Sequence, residues 1–549
     1  MSTCKNCQQQ FTIYPEDQAF YTRMGVPEPT RCPECRQQRR LVWRNEKTLY
    51  QRKSDLTGKD IISIYSPESS YKVYDAEEWH GDKWEAMDYG RDFDYSRPFF
   101  DQFGDLQKQV PRPARAVIKN INSDYVNQCW NLKNGYMCFD VGFAENVMYC
   151  AATYHTRDCL DCFFARGSEL SYYLVDSQNC FDCAYLQDCG DCHEAFFSFD
   201  CKGCNNIAFC FNLRNQRNYI YNKPVSQDEF ANFIQELKQG SFQKHQEYVK
   251  KWRQDVINQS IHKLHHNIKT VNCSGDYILN SKNCHHCYNI DACEDLRYCN
   301  RMDEQIYNCL DLDHCSICES IYEGLVITGN NLKFCINSWS PSTDCWYSDL
   351  TMSCQNCFGC VGLKHKKYCV LNKQYTEQEY AELVVKIIVH MKKTGEFGEL
   401  YPPKLSPFAY NETVAPEYYP LTRDEAINSG YRWQDNLPGT FSKETIKPEN
   451  LPDKIIDVAD SITKEILVCV SCGKNYKIIS QEFGFYKDRG IPLPRQCFIC
   501  RNKERISFRN PQKLWQRKCD QCGKEIQTTY PINYPSKVYC EGCYEKEIY

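Results

Sequence analysis

Twelve cysteines fall into three quartets, Cys4, Cys7, Cys32 and Cys35, then Cys469, Cys472, Cys497 and Cys500, then Cys519, Cys522, Cys540 and Cys543. Each quartet is a pair of Cys-x-x-Cys knuckles about twenty residues apart. A knuckle presents two thiolates from one tight turn, and two knuckles complete a tetrahedral zinc site. Four thiolates leave no position for water, so zinc, expected at three ions per chain, would be structural rather than catalytic and its binding would be coupled to folding.

The chain holds 38 cysteines in 549 residues, and most of the remainder lie between these quartets. Cys-x-x-Cys recurs at 159/162, 180/183, 189/192, 201/204, 284/287, 315/318 and 354/357, with His193, His285, His286 and His314 nearby. Metal binding is one reading of these pairs. A ladder of small buried thiols is the preferred one, because cysteine recurs at one phase of a repeat and is among the most buried residue types. So many equivalent pairs single out no redox-active one. There is no phosphate-binding glycine loop, nucleophile elbow or His-Glu-x-x-His, so no enzyme is expected and no small-molecule substrate is evident. The chain starts Met1-Ser2-Thr3-Cys4-Lys5 without an apolar leader and has no run of about 18 apolar residues, which points to a cytoplasmic setting, reduced thiols and no membrane association.

The net charge of -5 hides an asymmetry. Residues 28–53 carry eight Lys/Arg against three Glu, residues 489–518 carry nine against one, and the rest of the chain is acidic. The basic residues come after the second knuckle of each module: Arg36, Arg39, Arg40, Arg44 and Arg52, then Arg501, Lys503, Arg505, Arg509 and Arg517. On a helix, positions 36, 40 and 44 share a face. Such a stripe suits phosphate contacts, making RNA or a ribosome a candidate partner, and it equally suits an internal contact with the acidic body.

These residues must be positioned by repeats. An offset of 465 maps Cys4, Cys7, Cys32 and Cys35 onto Cys469, Cys472, Cys497 and Cys500, and Gln51-Arg52-Lys53 onto Gln516-Arg517-Lys518, without a gap. The same offset sets Ser54, Thr57, Asp75 and Glu78 against the third quartet. Hydroxyls are poor zinc ligands, so the first module keeps the subdomain and lacks its second metal. In the middle, Cys138, Cys159, Cys180 and Cys201 step by 21, and Cys273, Cys293, Cys315, Cys335 and Cys357 step by 20 or 22. A period of about 21 with short aromatic runs reads as two β-solenoid arrays. Ser226-x-x-Glu229 and Thr376-x-x-Glu379 start a capping helix after each array.

The expected architecture is therefore mainly β, with Cys-rich solenoid-like repeats flanked by duplicated zinc modules. The units are a first zinc module (1–78), an aromatic and acidic connecting segment (79–117), a first array (118–225), capping helices (226–272), a second array (273–375), a capping helix (376–400), a proline-rich connector (401–466) and a double zinc module (467–549).

The pattern Cys4-x-x-Cys7, Phe20-Tyr21, Pro27-x-Pro29, Cys32-Pro33-x-Cys35-Arg36, Arg39-Arg40 and Arg44-Asn45 resembles the bacterial "probable zinc-binding domain" family, a small treble-clef or zinc-ribbon module. Pro492-x-Pro494, Cys497-x-x-Cys500-Arg501 and Arg509-Asn510-Pro511 resemble it too. The resemblance covers about eighty residues at each end. It implies zinc at the matching cysteines and a treble-clef-like fold, in a family that is largely uncharacterised. The leading expectation is a zinc-binding scaffold for a macromolecular partner, with an RNA-associated protein as the first alternative and a thiol redox or metal-storage protein as the second.

Overall fold

The computed structural model describes residues 1–302, 306–315, 321–327, 333–335 and 342–549. Side chains at 302, 312, 314, 315, 326 and 327 are not described, so the Cys315/Cys318 pair and the His314 side chain lie outside the described part of the molecule.

The central chain pairs with itself in parallel at a fixed interval of twelve residues. Phe139 faces Ala151, Tyr172 faces Ala184, Ala184 faces Phe196, and Gln355 faces Lys367. Steps of 11 and 13 interrupt the second half, at Ser274 and His285 and at Arg297 and Leu310. From residue 128 to 221 every third residue is left-handed: Met137, Asp140, Phe143, Asn146, Tyr149 and Ala152 all have φ between 49° and 61°. That region is costly for side chains other than Asn, Asp and Gly, and the surrounding stack must hold it. Amide ladders contribute, as Asn122 donates to Asn134, Asn134 to Asn146 and Asn146 to Asp158, each at 2.9 Å.

The residue after each left-handed position points inward. Cys129, Cys138, Val141, Ala144, Val147, Cys150, Cys159 and Cys162 form one buried cluster in this way. The thiols donate to the carbonyl two residues earlier, Cys150 to Met148 at 3.4 Å and Cys180 to Gln178 at 3.3 Å, and serines do the same, Ser168 to Arg166 at 3.0 Å. Cysteine here is a small apolar side chain with a weak donor. The expected period of 21 is corrected by this geometry. Cysteines recur at multiples of three because every third residue faces inward, but the register is twelve, so residues 21 apart stand at different corners. Cys180→Ser is accordingly expected to cost about 1 kcal/mol and to leave the bound zinc unchanged, with thermal denaturation and native mass as readouts.

Each stack ends alike. Tyr219 pairs antiparallel with Pro224, and Cys369 with Gln374. Helices Gln227–Leu237 and Glu377–Thr394 come next, with capping boxes formed by Ser226 and Glu229 and by Thr376 and Glu379. The two stack ends match at an offset of 150 in detail: Asn222 and Asn372 each accept from the backbone eleven residues earlier, at 2.9 and 2.8 Å, and each donates back to it.

The terminal modules are also superposable in their bonding. Helices Pro15–Met24 and Ser480–Arg489, hairpins Tyr50–Lys53 with Asp60–Ser63 and Trp515–Lys518 with Glu525–Thr528, and strands Val73–Tyr74 and Val538–Tyr539 all keep the 465 offset. The modules dock crosswise. Helix Pro33–Leu41 of the first lies on Asp311 and Asp313 of the later stack, and helix Phe498–Ser507 of the last lies on Asp161 of the earlier one.

Residues 401–466 are not an extended connector. Tyr401, Leu405, Phe408, Tyr410, Val414 and Ala415 are buried, Ser406 donates to Val42 at 2.7 Å and Val414 to Arg44 at 3.0 Å. Further on, Leu451, Ile455, Val458 and Ile462 join the core that holds Phe483 and Tyr486. Prolines keep the segment from forming long elements, while the apolar residues between them make it a packed strap.

Candidate metal centres

All four sulfurs of each sequence-defined quartet come together, lying within 4.8 Å of one another in every case. A zinc–sulfur bond of about 2.3 Å puts tetrahedral ligands about 3.8 Å apart. Cys7 and Cys32 are separated by 3.8 Å, Cys472 and Cys497 by 3.7 Å, and Cys522 and Cys540 by 3.8 Å. These spacings are far too long for disulfides and fit one zinc each. Among the described residues no other group of three or more such ligands is this close.

The first cysteine of each quartet is held by backbone donors. Cys4, Cys469 and Cys519 open the three sites, and each turn is closed by a backbone bond from the residue four on, at 2.9 Å in all three. Backbone N–H groups converge on the first sulfur, Cys32 on Cys4 at 3.3 Å and Cys540 on Cys519 at 3.2 Å. Burial raises these thiols, but the N–H donors outweigh it and leave Cys469 at about 7 and Cys519 at about 6. Cys32 and Cys35 titrate as a pair, their mutual hydrogen bond lowering Cys35 and raising Cys32. Cys7, Cys472 and Cys522 are the exposed members.

The fourth position holds a hydrogen-bonded carboxylate instead of four thiols. Ser54 and Thr57 donate to the two carboxylate oxygens of Glu78, and Asp75 donates its N–H to the same carboxylate at 3.2 Å. Asp75 and Cys540 are both helix N-caps, and Gly58 and Gly523 share a left-handed φ of 75° and 73°. The backbone is thus preserved while a carboxylate bridges the positions a zinc would. Combining Ser54→Cys, Thr57→Cys, Asp75→Cys and Glu78→Cys is expected to add a fourth zinc to the native mass.

The arginine stripes face carboxylates inside the molecule. Arg36 is bidentate to Asp311 at 2.6 and 3.2 Å, Arg39 pairs with Glu323 and with Glu399 at 2.7 Å, Arg40 with Asp313 at 2.6 Å, and Arg44 with Glu46 at 2.6 Å. Arg501 and Arg505 share Asp161 at 2.8 and 2.7 Å, and Arg509 meets Asp176 at 2.8 Å. Arg52 and Arg517 brace their own modules on Asp55 and Asp520, at 2.8 and 2.9 Å. Of the ten basic residues only Lys503 is exposed. The stripe face is real, and it meets the acidic stacks. Their carboxylates were missed in the sequence because Asp recurs there at many left-handed positions, with nothing to single out the paired ones.

Of the stack histidines, His193 stacks on Phe181 and His286 on Tyr298.

A probable treble clef domain matches residues 1–42. That span includes the first quartet and helix Pro33–Leu41, and with the sulfur geometry it marks zinc as the metal. No curated protein and no solved structure matches the chain. Among the described residues no helix is long and apolar enough to cross a membrane.

Proposed function

We infer that this chain is a zinc-stabilised scaffold: two β-solenoid arrays of twelve-residue turns, clamped by terminal zinc modules and offering their outer faces to a macromolecular partner. The observation that carries the reading is that every quartet is a complete set of four sulfurs. Four thiolates satisfy zinc and leave it no position for substrate or activated water. The metal orders each knuckle, the knuckle positions the next helix, and that helix delivers its arginines to the stack carboxylates. Zinc acts here as part of the fold, with no catalytic role.

Substituting Co(II) for zinc tests this. The expected result is a tetrahedral all-sulfur absorption spectrum that does not respond to added azide or thiocyanate. A spectrum that shifts with the anion would reveal an exchangeable ligand and overturn the structural role.

A further inference from the structure

We propose that the cavity between the first stack, residues 261–268 and the C-terminal module binds a planar heteroaromatic molecule of nucleoside size. The cavity is open on one side and has a volume of about 550 Å³, within the range of about 300–1,000 Å³ that holds small ligands. Phe199, Tyr277, Tyr530, Tyr544 and Tyr549 supply aromatic walls, the surface on which a flat ring stacks.

The duplication provides an internal comparison. At offsets of 465 and 150, Tyr544, Tyr549 and Arg214 correspond to Trp79, Trp84 and Lys364. In the N-terminal half the Lys364 ammonium lies 4.4 Å from the Trp79 ring and 5.0 Å from Trp84. His262 corresponds there to Arg112, which is sealed against Asp349 at 2.7 Å with both side chains fully buried. In the C-terminal half the Arg214 guanidinium lies 5.9 and 5.2 Å from the smaller rings of Tyr544 and Tyr549. The indoles at these positions in the first module are replaced by smaller phenols beside the cavity in the last.

One polar group in the cavity wall awaits a partner. Asn267 is 3% exposed and its Oδ1 accepts from the Ile278 N–H at 3.0 Å, but its Nδ2 has no hydrogen bond. A buried unpaired donor is costly and marks a place for an acceptor. Around it stands a column of carboxylates twelve residues apart, Asp176, Asp188 and Asp200. Each is balanced: Asp176 by Arg509 at 2.8 Å, Asp188 by Tyr277 at 2.7 Å and by His266, Asp200 by Arg214 at 3.1 Å. Burial disfavours the His266 cation, but Asp276 and Asp188 outweigh it and raise the imidazole to about 9. Lys202 donates to the Asp188 carbonyl at 2.5 Å and Lys263 pairs with Glu541 at 2.7 Å, so these cations are engaged within the wall rather than held free for a phosphate. Aromatic walls, a free donor and abundant acceptor oxygens complement a nucleobase edge and face.

Titration calorimetry of the zinc-loaded full chain with adenosine, guanosine, cytidine and uridine, and with AMP as charged control, tests this. At least one nucleoside is expected to saturate one site per chain, and AMP to bind more weakly than adenosine. Asn267→Asp keeps the acceptor toward Ile278 and removes the donor, and is expected to weaken binding about tenfold. Tyr544→Trp, which installs the residue found at the matching position of the first module, is expected to narrow the cavity and block binding while the native mass still carries three zinc ions. Failure of every nucleoside to saturate at millimolar concentration, binding that survives either substitution, or tighter binding of AMP than of adenosine would overturn the proposal.

Discussion

Cys497→Ser is expected to release one zinc and unfold the module around it. The apparent binding free energy of a structural zinc is on the order of 10–16 kcal/mol, comparable to or greater than the whole stability of an ordinary domain. Cys497 is both a ligand and the N-cap of helix Phe498–Ser507, which carries Arg501 and Arg505 onto Asp161. Loss of the metal should therefore free the helix, undock the module and expose the earlier stack beneath it. Limited proteolysis should cut residues 467–510 in the variant and spare them in the parent, with the native mass lower by one zinc. An intact, protease-resistant module that had lost its zinc would mean that packing alone holds this fold.

The second large effect is electrostatic. Asp161 is fully buried and is the shared counter-charge of Arg501 and Arg505. Asp161→Ala would leave two guanidinium groups buried without their counter-charge, a class of change that costs about 3–5 kcal/mol. The expected result is a depressed unfolding midpoint and faster hydrogen exchange in strand Tyr172–Val175 and helix Phe498–Ser507, with three zinc ions still bound. Asp60→Ala is the matched control: its pair with Lys53 is solvent-exposed on both sides, and such pairs contribute at most about 1 kcal/mol. If Asp161→Ala were as mild as the control, the crosswise docking would rest on apolar contact rather than on ion pairs.

The legible parts of the sequence were those where chemistry fixes spacing. A tetrahedral metal requires paired knuckles, so all three quartets could be read from cysteine positions, as could the replacement of all four ligand positions by Ser54, Thr57, Asp75 and Glu78. Capping boxes are equally local, and Ser226 and Thr376 close theirs within a single turn. The register was hidden because cysteine marks the inward phase without filling it: Ser168, Ser177, Ala165 and Leu174 occupy the same phase, so visible recurrences fall at arbitrary multiples of three. Left-handed residues gave no clear signal either, since Tyr149, Phe164 and Tyr173 take that conformation beside the expected Asn and Asp. The arginine stripe was visible as a face, but a face does not say what it meets. Asp161 and Asp311 lie 340 and 275 positions from Arg501 and Arg36, and only folding brings them together. Proline content misled at residues 401–466 because the burial of Tyr401 and Tyr410 depends on partners elsewhere in the chain.

The central claim is that three closed all-cysteine sites each hold one zinc. Native mass spectrometry of the purified chain, compared with its denatured mass, measures this directly. The account predicts an excess of three zinc ions per chain, unchanged by mild chelation. Two or fewer would remove a quartet from the metal set, and a reproducible four or more would mean that the stack thiols or the Glu78 site also bind metal.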